Sequence, residues 1–134
     1  MRVKITYLAG MALLTIVFSC KKSGMTSIHD SLIGKWIFTE SKIGTGPPGQ
    51  WQPVTPRGQT IEFKEDGSFI SSGNFLTGTT HFRIMDSVTV KFSPETTSSG
   101  YILMYYSIDT LARDLILSPA NPACIEGCQY KFIR

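Results

Sequence analysis

The cysteines are the residues of this 134-residue chain whose spacing most directly suggests chemistry. Cys124 and Cys128 are four positions apart with a glycine between them, a spacing compatible with a disulfide, a free or redox-active thiol pair, or part of a metal site. A metal site needs further ligands, and the two histidines, His29 and His81, lie far away in the sequence. We therefore predict no metal, and we favour a disulfide for an exported protein, because disulfides persist outside the reducing cytosol.

Motifs for nucleophilic catalysis and for phosphate binding are absent from the sequence. No Gly-x-Ser-x-Gly elbow and no phosphate loop occurs. Most carboxylates fall on predicted turns or water-facing positions; they are Glu40, Glu62, Glu65, Asp66, Asp86, Asp109 and Asp114. We expect a protein that is not an enzyme and that uses no cofactor.

The charge balance argues against a nucleic-acid partner. Thirteen basic and ten acidic residues give a net charge of +3, and two of the basic residues, Arg2 and Lys4, belong to a segment that we expect to be removed. Without them the chain is nearly neutral. A surface that binds nucleic acid needs clustered Lys and Arg to neutralise phosphates.

Residues 1–19 have the order of features found in a secretory signal. A short basic region precedes an almost wholly apolar run that ends at Phe18, followed by Ser19 and Cys20. The apolar run is shorter than the roughly 20 residues of a membrane-spanning helix, so the pattern indicates a cleaved leader. Val17-Phe18-Ser19-Cys20 resembles a bacterial lipobox, which implies that Cys20 is linked to diacylglycerol and becomes the new N-terminus. The alternative is an ordinary signal peptide whose cysteine stays free or enters a disulfide.

Residues 20–31 are mostly small and polar and predict a tether, so the folded domain spans residues 32–134. Several acyl chains on Cys20 would hold the protein stably at a membrane. Surface-exported lipoproteins of the Bacteroidetes resemble one another in an acidic patch after the cysteine, whereas Lys21 and Lys22 stand here. The resemblance therefore implies a periplasm-facing protein of the bacterial envelope, at the outer membrane.

From Leu32 onward, short apolar and β-branched runs alternate with Gly, Pro, Asp, Asn and Ser clusters, a pattern typical of all-β barrels and sandwiches. We predict a small up-and-down antiparallel barrel of about eight strands. The predicted strands are Gly34–Ser41, Gly58–Lys64, Ser68–Ser72, Thr80–Met85, Ser87–Ser93, Gly100–Ile108, Asp114–Ser118 and Gln129–Arg134.

Hydrophobic alternation predicts which side chains face the interior. A three-residue loop ending at Gly67 would place Phe63 opposite Phe69, both facing one core. His81 and Arg83 share one face of their strand, either towards water or, in the opposite register, towards the cavity. The aromatic residues Tyr101, Tyr105 and Tyr106 make both faces of their strand apolar, which predicts either burial on both sides or an exposed aromatic face.

The chain resembles the lipocalin-like lipoproteins of the Bacteroidetes at three places. These are Leu32-Ile33-Gly34-Lys35-Trp36, the hairpin Ile61-Glu62-Phe63-x-x-Asp66-Gly67-x-Phe69, and the closing segment from Cys124 to Phe132. The resemblance implies an eight-stranded calyx. It also implies structural roles for Trp36, which would plug the closed end, and for Arg134, which would pack across it.

The sequence is compatible with two functions. In the first, the barrel binds a small, largely apolar ligand, with Phe63, Phe69, Val90 and Phe92 as the wall and the segment Gly44–Pro56, carrying Trp51, as the lid. In the second, the barrel is filled and its loops contact an envelope protein, as an inhibitor or accessory subunit would. An eight-stranded barrel permits either, because its interior holds side chains or one small ligand.

Replacing the lipidated cysteine tests the anchor directly. We expect Cys20→Ser to move the protein from the membrane fraction to a soluble or unprocessed form, because the variant has no thiol to acylate. Fractionation of cells followed by detection of the protein measures this. An unchanged membrane distribution of the variant would contradict lipidation at Cys20.

Overall fold

The structure is a computed structural model that describes residues 31–44, 49–94, 100–124 and 127–134. The predicted leader, Cys20 and nearly all of the tether lie outside the described residues. Within the described ranges, no helix has the length and hydropathy needed to cross a membrane.

The described residues form nine β-strands in one antiparallel sheet. The strands are β1 Gly34–Lys42, β2 Gln52–Pro53, β3 Thr60–Phe63, β4 Phe69–Ser72, β5 His81–Ile84, β6 Thr89–Ser93, β7 Ile102–Asp109, β8 Asp114–Asn121 and β9 Gln129–Ile133. The order across the sheet is β4-β3-β1-β9-β8-β7-β6-β5, with β2 attached to β1. Apart from β2, each strand lies beside its neighbour in sequence and β9 returns to β1. The predicted all-β, up-and-down barrel of eight strands is confirmed.

The barrel closes between β4 and β5 through a short seam. Ser68 forms an isolated bridge with His81. The Phe69 amide donates to the Thr80 carbonyl at 2.7 Å, and the Phe82 amide donates to the Gly67 carbonyl at 2.9 Å. The seam leaves the barrel nearly closed.

The hairpin between β3 and β4 has the predicted register. Phe63 pairs with Phe69, and the Lys64 amide donates to the Ser68 carbonyl at 3.0 Å. Gly67 has a φ of +83°, the left-handed conformation that this loop requires. The Asp66 carboxylate accepts bonds from the hydroxyl and amide of Ser68, and these bonds lower the pKa of Asp66.

The structure differs from the prediction at two places. Strand β8 continues to Asn121 although Pro119 lacks an amide proton, because a register shift between Leu103 and Met104 places an irregularity in the ladder opposite this proline. The segment Gly44–Pro56, predicted as an irregular loop, contains β2, which pairs with Glu40 and Ser41 of β1.

Inward-facing aromatic side chains form two groups in the core. The first, which we call the wall cluster, consists of Phe63, Phe69, Phe82 and Phe92, whose ring centroids lie 4.9–5.9 Å apart in the contacting pairs. The second, the rim cluster, consists of Phe38, Phe75, Tyr130 and Phe132, with centroids 4.8–6.0 Å apart. Edge-to-face and tilted geometries predominate in both clusters, as expected for packed aromatic rings.

One end of the barrel, where β1 begins and β9 ends, is closed by Trp36; we call it the base. The indole is 1% exposed and its Nε1 donates to the Leu32 carbonyl at 2.9 Å. The Arg134 guanidinium lies 4.2 Å from the ring centroid and donates to the carbonyls of Ser31 and Ile33. Gly34, with φ +122°, makes room for it, since a Cβ there would lie 3.2 Å from Arg134 Nη2.

The base predicts a large stability loss on removal of the indole. We expect Trp36→Ala to lower the free energy of unfolding by about 3–5 kcal/mol, because it leaves a cavity in a buried site. Arg134→Ala should cost less, roughly 0.5–2 kcal/mol for the cation–π contact, plus the lost hydrogen bonds. Urea unfolding measures both, with the exposed Arg57→Ala as the matched arginine control, expected to be neutral. Equal losses in Arg57→Ala and Arg134→Ala would contradict the role of Arg134.

Candidate functional site

The opposite end of the barrel, where β1 ends and β9 begins, is open to solvent; we call it the mouth. It contains a cavity of about 520 Å³. The residues that line it are Phe38, Ser41, Pro53, Val54, Thr55, Gln59, Asn74, Phe75, Leu76, Met104 and Tyr130. Its volume falls within the roughly 300–1,000 Å³ of small-molecule sites.

The floor of the mouth cavity is aromatic. Phe38 on β1, Phe75 after β4 and Tyr130 on β9 belong to the rim cluster and also line the cavity. Burial raises the pKa of Tyr130, and its hydroxyl, like that of any tyrosine near neutral pH, can donate a hydrogen bond. An aromatic floor beside this hydroxyl and other polar lining side chains suits a ligand with an apolar body and polar groups.

A bulge in β1 shapes the side of the mouth that β1 and β2 form. The register between β1 and β9 shifts between Phe38 and Glu40, which places Thr39 outside the regular ladder. The Thr39 carbonyl then accepts from the Val54 amide at 3.0 Å, and the Val54 side chain is 8% exposed within the core. The bulge therefore anchors the segment that follows β2 across the mouth.

Gln59 connects two loops at the mouth, the one that follows β2 and the one that follows β4. Its Nε2 donates to the Pro56 carbonyl at 3.1 Å, and its Oε1 accepts from the Asn74 amide at 3.2 Å. The side chain crosses Gly73, where φ is +125° and where a Cβ would overlap the amide group. Any other residue at position 73 would displace this bridge between the loops.

Leu76 is a lining residue with a left-handed backbone, at φ +50°. This conformation costs a non-glycine residue of the order of 1 kcal/mol, and it places the leucine side chain at the cavity and against the core. Sites of this kind are enriched at ligand-binding positions.

The predicted wall residues occupy the interior rather than the mouth. Phe63, Phe69, Val90 and Phe92 are at most 2% exposed, three of them belong to the wall cluster, and none lines the mouth cavity. Trp51 is half-buried and likewise is not among the residues lining the cavity, whereas Val54, three residues later, is. Sequence reasoning did not find Phe38, Phe75 or Tyr130, although Phe38 and Tyr130 continue the alternation of Trp36 and Phe132.

The other residues that the sequence singled out lie on β5 and on or just before β7. Phe82 points into the core, so His81 and Arg83 lie on the outer face, where they line a cleft of about 320 Å³ with Lys91. Tyr106 is buried and its hydroxyl donates to the Asp86 carbonyl at 3.2 Å, whereas Tyr105 is 55% exposed. Strand β7 thus has one core face and one outer face on which Tyr105 is exposed.

Cys124 and Cys128 lie between β8 and β9 with their sulfur atoms at disulfide-bonding distance and their Cα atoms 5.6 Å apart. The bond would close a very small loop, so its contribution to stability is at the low end for disulfides. Across the described ranges, no group of three or more His, Cys, Asp or Glu side chains is placed to hold a metal ion.

These features define a class: a small up-and-down β-barrel with a plugged base and an open mouth lined by aromatic and polar side chains. No family model matches the chain, and no curated protein matches it either.

Substitutions in the segment across the mouth separate a fold role from a lid role. We expect Val54→Ala to lower the free energy of unfolding by roughly 1–3 kcal/mol, because Val54 is buried in the core. Trp51→Ala should leave thermal stability nearly unchanged, because Trp51 is only half-buried, and should weaken ligand or partner binding if Trp51 is a lid contact. Thermal unfolding compares the two. A loss in Trp51→Ala as severe as in Trp36→Ala would show that Trp51 belongs to the fold and exclude the lid.

Proposed function

We propose that this chain is a lipid-anchored, lipocalin-like binding protein of the bacterial envelope, attached through Cys20 on the periplasmic side of the outer membrane. It binds a small, largely apolar ligand at the mouth. The observation that carries the binding proposal is the cavity of about 520 Å³ with an aromatic floor at an unplugged barrel end. Phe38, Phe75 and Tyr130 form the floor, and Met104 and Leu76 add apolar surface.

The packed interior of the barrel limits where a ligand can bind. The wall cluster fills the interior beyond the floor, with Phe63 and Phe92 at 0% exposure. A ligand therefore sits in the mouth rather than along the barrel axis. Gln59 and the hydroxyl of Tyr130, which both line the cavity, provide polar contacts that orient the ligand.

The packed interior also supports the second candidate, a protein-interaction module. A filled barrel needs no small ligand. Its mouth loops, together with Tyr101 just before β7 and Tyr105 on β7, which are 46% and 55% exposed, offer contact surface to an envelope protein. The two proposals differ in whether the mouth binds a small apolar molecule in the isolated protein.

Titration with N-phenyl-1-naphthylamine, a neutral apolar fluorophore, tests the mouth. We expect saturable enhancement of fluorescence at one site per chain. Leu76→Asn should weaken binding about five- to tenfold, because it removes apolar lining and because asparagine accepts the left-handed backbone.

The matched control is Leu111→Asn, the same change at an exposed leucine of the base, which should leave the affinity unchanged. Absence of saturable binding, or equal weakening in both variants, would contradict ligand binding at the mouth. Native mass spectrometry of the purified protein gives a second readout, the mass of any retained small molecule.

A further inference from the structure

Exposed apolar side chains gather on two hairpins of the base. The turn between β7 and β8, residues 110–113, carries Leu111, which is 96% exposed. The turn between β5 and β6, residues 85–88, carries Met85 and Val88, which are 52% and 51% exposed. We call these two turns the base hairpins. Single exposed apolar residues are common, but a fully exposed leucine at a hairpin tip beside a second apolar tip is a contact surface without a described partner.

Both base hairpins hold their shape without their apolar side chains. The Asp109 carboxylate accepts from the amides of Leu111 and Ala112 at 2.9 and 3.0 Å. The Asp86 carboxylate accepts from the Val88 amide at 2.8 Å, and this bond lowers the pKa of Asp86. Each carboxylate is directed to its own turn. The exposed large apolar side chains of these two turns are Met85, Val88 and Leu111.

The chain enters the folded domain beside these hairpins. Ser31, the first described residue, lines a depression of about 190 Å³ together with Ser87 and Thr110, one from each base hairpin. Ser31 also lines a cleft of about 400 Å³ with Arg113 and Arg134. The described domain therefore begins at the base, beside the two base hairpins and on the side opposite the mouth.

The length of the segment before Ser31 keeps the base near the anchor. Cys20 to Asp30 is eleven residues, which span at most about 40 Å when fully extended. A short tether raises the effective concentration of the domain at the bilayer to about the millimolar range, so a weak contact suffices for docking.

Arg113 adds a cation beside Leu111 and makes no ion pair among the described residues.

We propose that the base docks on the bilayer that carries the lipid anchor. Leu111 inserts into the interfacial region, Met85 and Val88 lie at its edge, and the mouth faces away from the membrane. This inference rests on the proposed lipid anchor. It adds an orientation in which the ligand site stays open to the aqueous compartment.

The test attaches the mature chain to vesicles by a route that does not need acylation. A hexahistidine tag replaces Cys20 and binds nickel-chelating lipid in phosphatidylcholine vesicles. An NBD fluorophore on Ala112→Cys, next to Leu111, reports insertion by a blue shift and by quenching with spin-labelled lipid. The same fluorophore on Gln52→Cys, an exposed residue of β2, should show neither change.

Leu111→Ser in the Ala112→Cys background should reduce the docked-to-free ratio about tenfold, because it removes most of the apolar surface that inserts. Ile70→Ser, at an exposed apolar residue of the side wall, is the matched control and should change nothing. A water-like NBD signal at position 112 would overturn the proposal. A blue shift that depends on protein concentration without vesicles would also overturn it and would identify a second copy as the occupant. Acylation of Cys20 is measured separately, from the mass of the protein isolated from cells. A missing lipid anchor can therefore be distinguished from a failure of the base to dock.

Discussion

The burial of Trp36 is the interaction on which the rest of the structure depends. Its strand, β1, pairs with β2, β3 and β9, so the indole lies where the first and last strands of the barrel meet. The indole N–H donates a hydrogen bond to the Leu32 carbonyl, and the Arg134 guanidinium packs over the face of the ring. Burial of a large aromatic side chain outweighs the surface ion pairs of Lys131 with Asp114 and Glu40, since exposed pairs are worth about 0–1 kcal/mol. The base is therefore closed by packing rather than by charge.

Closure of one end determines where a ligand fits. An eight-stranded barrel has an interior that side chains nearly fill, and the wall cluster does so on the side of β3 to β6. The rim cluster reaches the mouth, where Phe38, Phe75 and Tyr130 form the floor of the cavity. Two of the loops around the proposed site are held in place, by the Gln59 bridge and by the Thr39–Val54 contact.

The two ends of the barrel carry different kinds of surface. The mouth has an aromatic floor within a concave site that polar side chains also line, whereas two hairpins of the base carry exposed apolar side chains. A concave site suits a small molecule and exposed apolar side chains suit a deformable partner such as a bilayer. Ser31, the first described residue, lies at the base, so the folded domain begins at the end opposite the proposed ligand site.

The sequence by itself determined the all-β class, the positions of the eight main strands and the inward faces of the residues that the alternation singles out. It did so because strand periodicity and turn chemistry are local: Phe63 faces Phe69 as soon as Gly67 adopts its left-handed turn. Only the tertiary structure decided where the cavity lies. Phe63 and Phe38 have the same inward alternation, yet one is packed into the filled wall and the other lines the mouth. The difference arises from the depth of each residue along the barrel and from loops such as the one bearing Val54, which pairing across the sheet brings to the mouth and which no local pattern encodes.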